Sequence, residues 1–269
     1  MINEVYTGYK ILRGTTAEIN DSIERVMLSL NVNEYLLIEN EDDGSHKEMR
    51  FDGEKLVNLK LPPSKTIKGK TALQRCALDA LMNEDITTVC ILGLPGSGKS
   101  YLATKMALHQ IEERGNQSKI IAVREPIGSG KETGYLPGDF DSKTKLFFQP
   151  ITQQLDGKEF ELQSLQTRGM IESITPYYIK GCTFDHSIML VEEAEDLTKK
   201  QIKLIGTRVG RESRVIFTGD YKQSEIDTSE NNALLQTCNA LKGNPLFACI
   251  MLDEDVRSDT SKMFANLFE

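Results

Sequence analysis

The eight residues Gly93-Leu94-Pro95-Gly96-Ser97-Gly98-Lys99-Ser100 constrain this chain more than any other stretch. They fit G-x-x-x-x-G-K-[ST], directly after the largely β-branched and apolar run Thr87–Leu92 and directly before a helical pattern over 99–113. A loop between a buried strand and a helix N-terminus is the context this motif requires. Its glycines let backbone N–H groups converge on one anion, the helix N-terminus adds its positive end, and Lys99 reaches the outer phosphates. The expected ligand is a nucleoside triphosphate held by Gly93, Leu94, Pro95, Gly96, Ser97, Gly98, Lys99, Ser100 and Tyr101. Ser100 is also the expected Mg²⁺ ligand.

From residue 71 onward, helix-length amphipathic segments alternate with short apolar runs. The further runs are Ile120–Val123, Ile188–Val191, Val215–Thr218 and Ala248–Leu252, with helical stretches over 198–209 and 231–242 between them. Strands that are apolar on both faces and separated by helices predict an α/β fold with a parallel sheet covered by helices on both sides. The first sixty residues read differently. Apolar clusters around Val5–Leu12, Tyr35–Ile38 and Leu56–Leu59 are separated by turns such as Asp42-Asp43-Gly44 and Asp52-Gly53. Ala17, Ile19, Ile23, Val26, Met27 and Leu30 recur at helical spacing. This predicts a small α+β appendage over 1–62, ended by Pro62-Pro63, and a P-loop NTPase unit over 63–269.

Parallel sheets place their chemistry at the carboxyl ends of the strands. The run Ile188–Val191 ends in Glu192-Glu193-Ala194-Glu195. Glu192 is assigned to the shell around the metal and Glu193 to activation of an attacking water, because a general base must lie within reach of the nucleophile. Acids at a helix start are the competing explanation, and they suit Glu195 and Asp196 better than residues immediately following a buried run. After Val215–Thr218 comes Gly219-Asp220-Tyr221-Lys222-Gln223, where Gln223 is placed to sense the terminal phosphate. Gln74, 19 residues before the loop, either reads the adenine edge or is a solvated helix residue.

These elements in this order resemble the PhoH-like ATPases, relatives of the superfamily-one helicases with a RecA-like core. The resemblance spans about residues 65–260. It also rests on Arg124-Glu125-Pro126-Ile127, Gly134-Tyr135-Leu136-Pro137-Gly138-Asp139, Thr207-Arg208-Val209-Gly210, Thr218-Gly219-Asp220 and Arg257-Ser258. It implies Mg²⁺-dependent ATP hydrolysis coupled to RNA or single-stranded DNA. Val5-Tyr6-Thr7-Gly8-Tyr9 is similar to the linker that follows a PIN nuclease in longer members, with the PIN nuclease itself expected to be absent. Two segments depart from the family pattern. Glu192-Glu193-Ala194-Glu195 stands where the family has D-E-A-Q, which implies altered turnover. Lys180-Gly181-Cys182-Thr183 stands where it has R-G-R-[ST], which implies weaker phosphate contact.

A superfamily-one motor closes two RecA-like lobes, and this chain has room for one. The expectation is therefore a homo-oligomeric ring, of which a hexamer is one form, with Arg208 or Arg257 completing a neighbour's site. A surface salt bridge is the competing role for each arginine. The chain has 32 basic and 40 acidic residues, and residues 1–62 hold 7 basic and 12 acidic ones, so nucleic acid can be gripped only by local basic strips. One such strip is Lys55, Lys60, Lys65, Lys68, Lys70 and Arg75, with no acid between Glu54 and Asp79; a solvated linker is the plainer reading. Tyr135 and the pair Tyr177-Tyr178 are candidates for base stacking. A kinase and a nucleotide-gated binding module with weak hydrolysis are the alternatives to an ATPase. Five dispersed cysteines and three histidines without ligand spacing read as structural. The amino terminus has no leader pattern and no apolar stretch reaches spanning length, so a cytoplasmic protein is expected.

Overall fold

The computed structural model describes residues 5–115, 117–124, 148–149, 151–224, 231–256 and 263. The front of the chain forms β1 (Tyr9–Gly14), α1 (Thr16–Met27), β2 (Tyr35–Asn40), β3 (His46–Phe51) and β4 (Leu56–Asn58). These strands make a sheet in sequence order, with β1 and β2 parallel and the rest antiparallel. Thr15 starts α1 through a reciprocal capping box with Glu18, satisfying donors that the first turn leaves unpaired.

The remainder builds α2 (Ala72–Met82), β5 (Thr88–Gly93), α3 (Lys99–His109), β6 (Lys119–Val123), α4 (Lys158–Thr167), β7 (Ile171–Ile174), β8 (Ser187–Val191), α5 (Lys199–Gly206), β9 (Arg214–Gly219), α6 (Ala233–Leu241) and β10 (Phe247–Leu252). All six strands are parallel, in the order β10-β5-β9-β8-β6-β7. The period of two along each strand divides the core. Val89, Ile91, Ile120, Ile188, Leu190, Ile216 and Ile250 face α2, α3 and α4. Cys90, Leu92, Ile121, Met189, Val191, Phe217 and Cys249 face α5 and α6. Burying each such side chain contributes about 1.5–3 kcal/mol, which is why runs apolar on both faces end up in the middle of the sheet. This is the α/β architecture expected from the sequence, a parallel sheet covered by helices on both faces.

Three local expectations shift. The first front strand begins at Tyr9, because the preceding residues pack on the main sheet instead: Met251 donates its N–H to Thr7 O, and Tyr6 enters the core beside Cys249. Strand β3 escaped detection because HKEMRF is mostly polar, and β7 because IESI lies at the sheet edge with little apolar alternation. The helix predicted over 99–113 changes to a wider π turn at Gln110–Arg114, closed by Gly115 in the left-handed conformation.

Two buried charged groups hold α2 in place. Asp79 accepts from Arg50 Nε at 2.9 Å, Tyr35 Oη at 3.0 Å and Lys60 N at 2.6 Å, which ties α2 to the front sheet. Arg214 donates to the carbonyls of Ala80, Leu81, Asn83 and Ile86 around the carboxyl end of α2, where the helix dipole favours a cation. Burial lowers the Arg214 pKa to about 10. Of the five cysteines, four are buried thiols and Cys182 is half-buried.

Candidate nucleotide site

The loop between β5 and α3 needs glycine at two points. A Cβ on Gly93, whose φ is 142°, would lie 2.1 Å from Leu252 O, and one on Gly98 (φ 93°) would press on Gln74 Nε2 at 3.0 Å. Leu252 O instead accepts the N–H of Leu94, and Val256 donates its N–H to Gly96 O, so the end of β10 braces the loop. Lys99 donates from Nζ to Gly93 O at 2.8 Å and Leu94 O at 2.9 Å.

Across the loop stands the end of β8. Ser100 Oγ donates to Glu192 Oε2 at 2.6 Å, and Thr218 Oγ1, from the end of β9, donates to the same oxygen at 2.7 Å. Glu192 is buried, and its Oε1 has no hydrogen-bond partner. Burial raises its pKa, against the lowering effect of those two hydroxyl bonds. Glu193 is in the left-handed region (φ 52°, ψ 44°), an unfavourable backbone state for glutamate that directs the chain out of the strand at the site. Its carboxylate lies 3.5 Å from Arg124 Nη2 at the end of β6.

Between these walls is a cavity of about 530 Å³. The loop and α3 line it with Gly96, Gly98, Lys99, Ser100 and Tyr101, opposite Arg124, Glu193, Gln149, Gln153 and Gln154. Among the described residues that line it, Glu193 is the one carboxylate, and Glu192, Glu195 and Asp220 lie buried behind it. Burial raises the pKa of Asp220, and it raises Glu195 to about 8, helped by Glu193. Burial lowers the Lys99 pKa, while Asp220, Glu195, Glu193 and Glu192 pull it the other way. Glu195 Oε2 and Asp220 Oδ2 are buried without partners, as is Ser97 Oγ in the loop. Ser100 Oγ and the unpartnered Oε1 of Glu192 are the groups whose chemistry fits a cation brought in with phosphate.

The structure thus brings together the loop residues, Lys99, Ser100, Glu192 and Glu193. Gln74 lies under the loop rather than among the cavity's lining residues: its Nε2 donates to Ser97 O at 2.8 Å and its Oε1 accepts Lys70 N at 2.8 Å. Gln223 is exposed on a short 3₁₀ turn, Tyr221–Gln223, outside the lining. Arg208 precedes β9, at the edge where the parallel strands begin and about a strand length from the loop at their ends. Its Nη1 donates to Cys182 O at 3.5 Å. Arg257 and the Gly134–Asp139 segment with Tyr135 lie outside the described residues. Site residues that sequence reasoning did not assign are Arg124, Thr218, Asp220, Gln149, Gln153 and Gln154. Arg124 carried a usable signal, since it follows a buried run just as Glu192 does. Gln149 and Gln153 carried none.

The model of the PhoH-like protein family matches residues 66–269. The chain belongs to this family. Protein PhoH2 of Bacillus subtilis strain 168 is 29% identical over 98% of this PhoH-like chain and 65% of its own length. A PhoH-like protein of the same strain is 32% identical over 77% of this chain and 64% of its own. Protein PhoH2 of Mycolicibacterium smegmatis is 31% identical over 76% of this chain and 47% of its own. The chain therefore spans between about half and two thirds of the relatives it matches. A Pif1 helicase from Candida albicans superposes on 74% of this chain and 43% of its own with a TM-score of 0.38 and 11% identity. Among the described residues, no helix is long and apolar enough to cross a membrane.

Proposed function

We propose that this PhoH-like chain binds ATP with Mg²⁺ and hydrolyses it, coupling turnover to RNA or single-stranded DNA within a homo-oligomeric ring. The observation that carries the reading is the convergence of Ser100 and Thr218 on one oxygen of Glu192, whose other oxygen is left unpartnered beside Lys99 and the loop. Among the described residues there is no cluster of three or more His, Cys, Asp or Glu arranged to hold a metal by itself. The ion would be carried in by phosphates, with Ser100 as ligand and Glu192 orienting its shell. Bound there, Mg²⁺ would neutralise phosphate charge.

The chain's own residues supply the rest. Loop N–H groups hold the phosphates, Lys99 leaves the carbonyls of Gly93 and Leu94 to meet their charge, and Glu193 orients a water toward the terminal phosphorus. A carboxylate in that place can align a water as the acceptor, which is the step an ATPase requires. Arg208, at the opposite edge of the sheet, is suited to reaching a neighbouring subunit's site, and Arg257 shares that proposed role. The division into a front unit over 1–62 and an NTPase unit over 63–269 is part of the same proposal. A second reading, a nucleotide-gated binding module with slow hydrolysis, is favoured by one contact: Arg124 beside Glu193 restrains the water-activating carboxylate.

The test is phosphate release with and without single-stranded RNA. Stimulation by RNA is expected. Tight nucleotide binding with negligible release under both conditions would replace the ATPase by the gated module.

A further inference from the structure

After β7 the chain makes a turn whose two anchors are buried and whose two central side chains are not. Pro176 and Ile179 are buried, while Tyr177 and Tyr178 are 74% and 69% exposed. Tyr178 N donates to Thr175 O and Cys182 N to Ile179 O, so the backbone of the turn is fixed. The two rings meet edge to face at 90° with centroids 5.2 Å apart, which leaves ring faces open to solvent. Large exposed aromatics on an anchored turn contribute nothing to the core, and their pairing limits the conformational freedom they would lose on binding.

From Ile174 to Thr183 there is no acidic residue, although the whole chain carries a net charge of −8. Lys180 is exposed next to the tyrosines, and Arg208 reaches Cys182 O at 3.5 Å with its Nε buried and unpartnered. The flanking acids are engaged: Glu172 with Lys119, and Asp185 with the N–H of Arg211. The turn follows the carboxyl end of β7, on the same rim as the phosphate loop but four strands from β5. At about 4.8 Å per strand that is roughly 19 Å away.

The geometry points to the turn Thr175–Lys180 as a stacking platform for single-stranded nucleic acid, with bases on Tyr177 and Tyr178 and a backbone phosphate on Lys180. This rests on the coupling to nucleic acid proposed above and locates it on the molecule. Exposed aromatics beside basic groups are the combination that tracks a single strand with little sequence preference. A protein partner would be recognised without the phosphate-directed Lys180.

The experiment measures binding of fluorescein-labelled oligouridylate and oligothymidylate to the full chain across salt concentrations. Tyr177→Ala with Tyr178→Ala is expected to weaken binding at least about tenfold, whereas Tyr177→Phe with Tyr178→Phe retains affinity. Lys180→Ala is expected to lower the salt slope by about one. Unchanged affinity for a fluorescent ATP analogue certifies that the variants fold. If the wild-type chain binds the strands and the double alanine variant binds them equally well, the platform is overturned while the coupling stands. If the wild-type chain binds neither strand, with or without nucleotide, platform and coupling both fall.

Discussion

Ser100 and Glu192, 92 positions apart in sequence, share a hydrogen bond of 2.6 Å across the phosphate loop. In the proposed site the serine would supply a hydroxyl to Mg²⁺, and the glutamate holds that hydroxyl with one oxygen while its other oxygen is unpartnered. Replacing Glu192 by Gln preserves size but removes the charge proposed to orient the metal shell. Raising the Mg²⁺ needed for half-maximal hydrolysis by about 10–100-fold is the expected result, with little change in metal-free nucleotide binding. A magnesium titration of phosphate release checks it. An unaltered midpoint would remove Glu192 from the metal's surroundings.

Glu193 differs from Glu192 in both exposure and partner. It faces the cavity, and Arg124 stands 3.5 Å from its carboxylate. Glu193→Gln is expected to cut hydrolysis by about 10²–10⁴ while nucleotide affinity stays within a few-fold. Arg124→Ala removes the restraint on that carboxylate and is expected to raise turnover measured without nucleic acid. Single-turnover phosphate release, paired with a binding isotherm, separates the two effects. Equal losses of affinity and rate in the Gln variant would mean that Glu193 only supports the loop.

The main sheet was legible because its strands are apolar on both faces, and the loop because glycine, lysine and serine stand in one fixed register. The order of those strands was not, since periodicity carries no information about which neighbours pair. Glu192 and Glu193 were legible because they end a buried run. Gln74 shows the limit of such reasoning: its amide is committed to Ser97 O and Lys70 N, and only folding reveals that. Glu195 shows another, since an acid that reads as a solvated helix start is 3% exposed in the fold.

That burial gives Glu195 a pH signature. Its pKa rises from 4.5 to about 8, first through burial and then through Glu193. Between those values the folded chain holds a proton that the unfolded chain releases, so the stability from this group is full below 4.5 and is lost as pH climbs toward 8. Burial raises Glu192 and Asp220 in the same sense. The carboxylates of Glu18, Asp42, Asp43 and Asp52, lowered by hydrogen bonds, lose their contribution only at more acidic pH. Thermal melts of the nucleotide-free protein should therefore decline over this interval, and Glu195→Gln should decline less. Parallel slopes for the two proteins would show that Glu195 titrates as an ordinary surface glutamate.

Helix α2 connects the front sheet to the site, because Gln74 in its first turn holds the phosphate loop and Asp79 further along holds Arg50, Tyr35 and Lys60. The carboxylate of Asp79 is almost fully buried, and Arg50 is only slightly more accessible. Removing one partner leaves the other charge desolvated and uncompensated, which costs about 3–5 kcal/mol. In a chain of this size that corresponds to a fall in melting temperature on the order of 10 °C for Asp79→Asn. Replacing both partners, as Arg50→Met with Asp79→Leu, removes the stranded charge and should recover part of the loss, the remainder reflecting the Tyr35 hydroxyl and Lys60 N–H left without their acceptor. Calorimetry on the two variants decides between a pair that stabilises and one that merely must not be broken. If Asp79→Asn melts with the wild type, α2 is held by its apolar face alone.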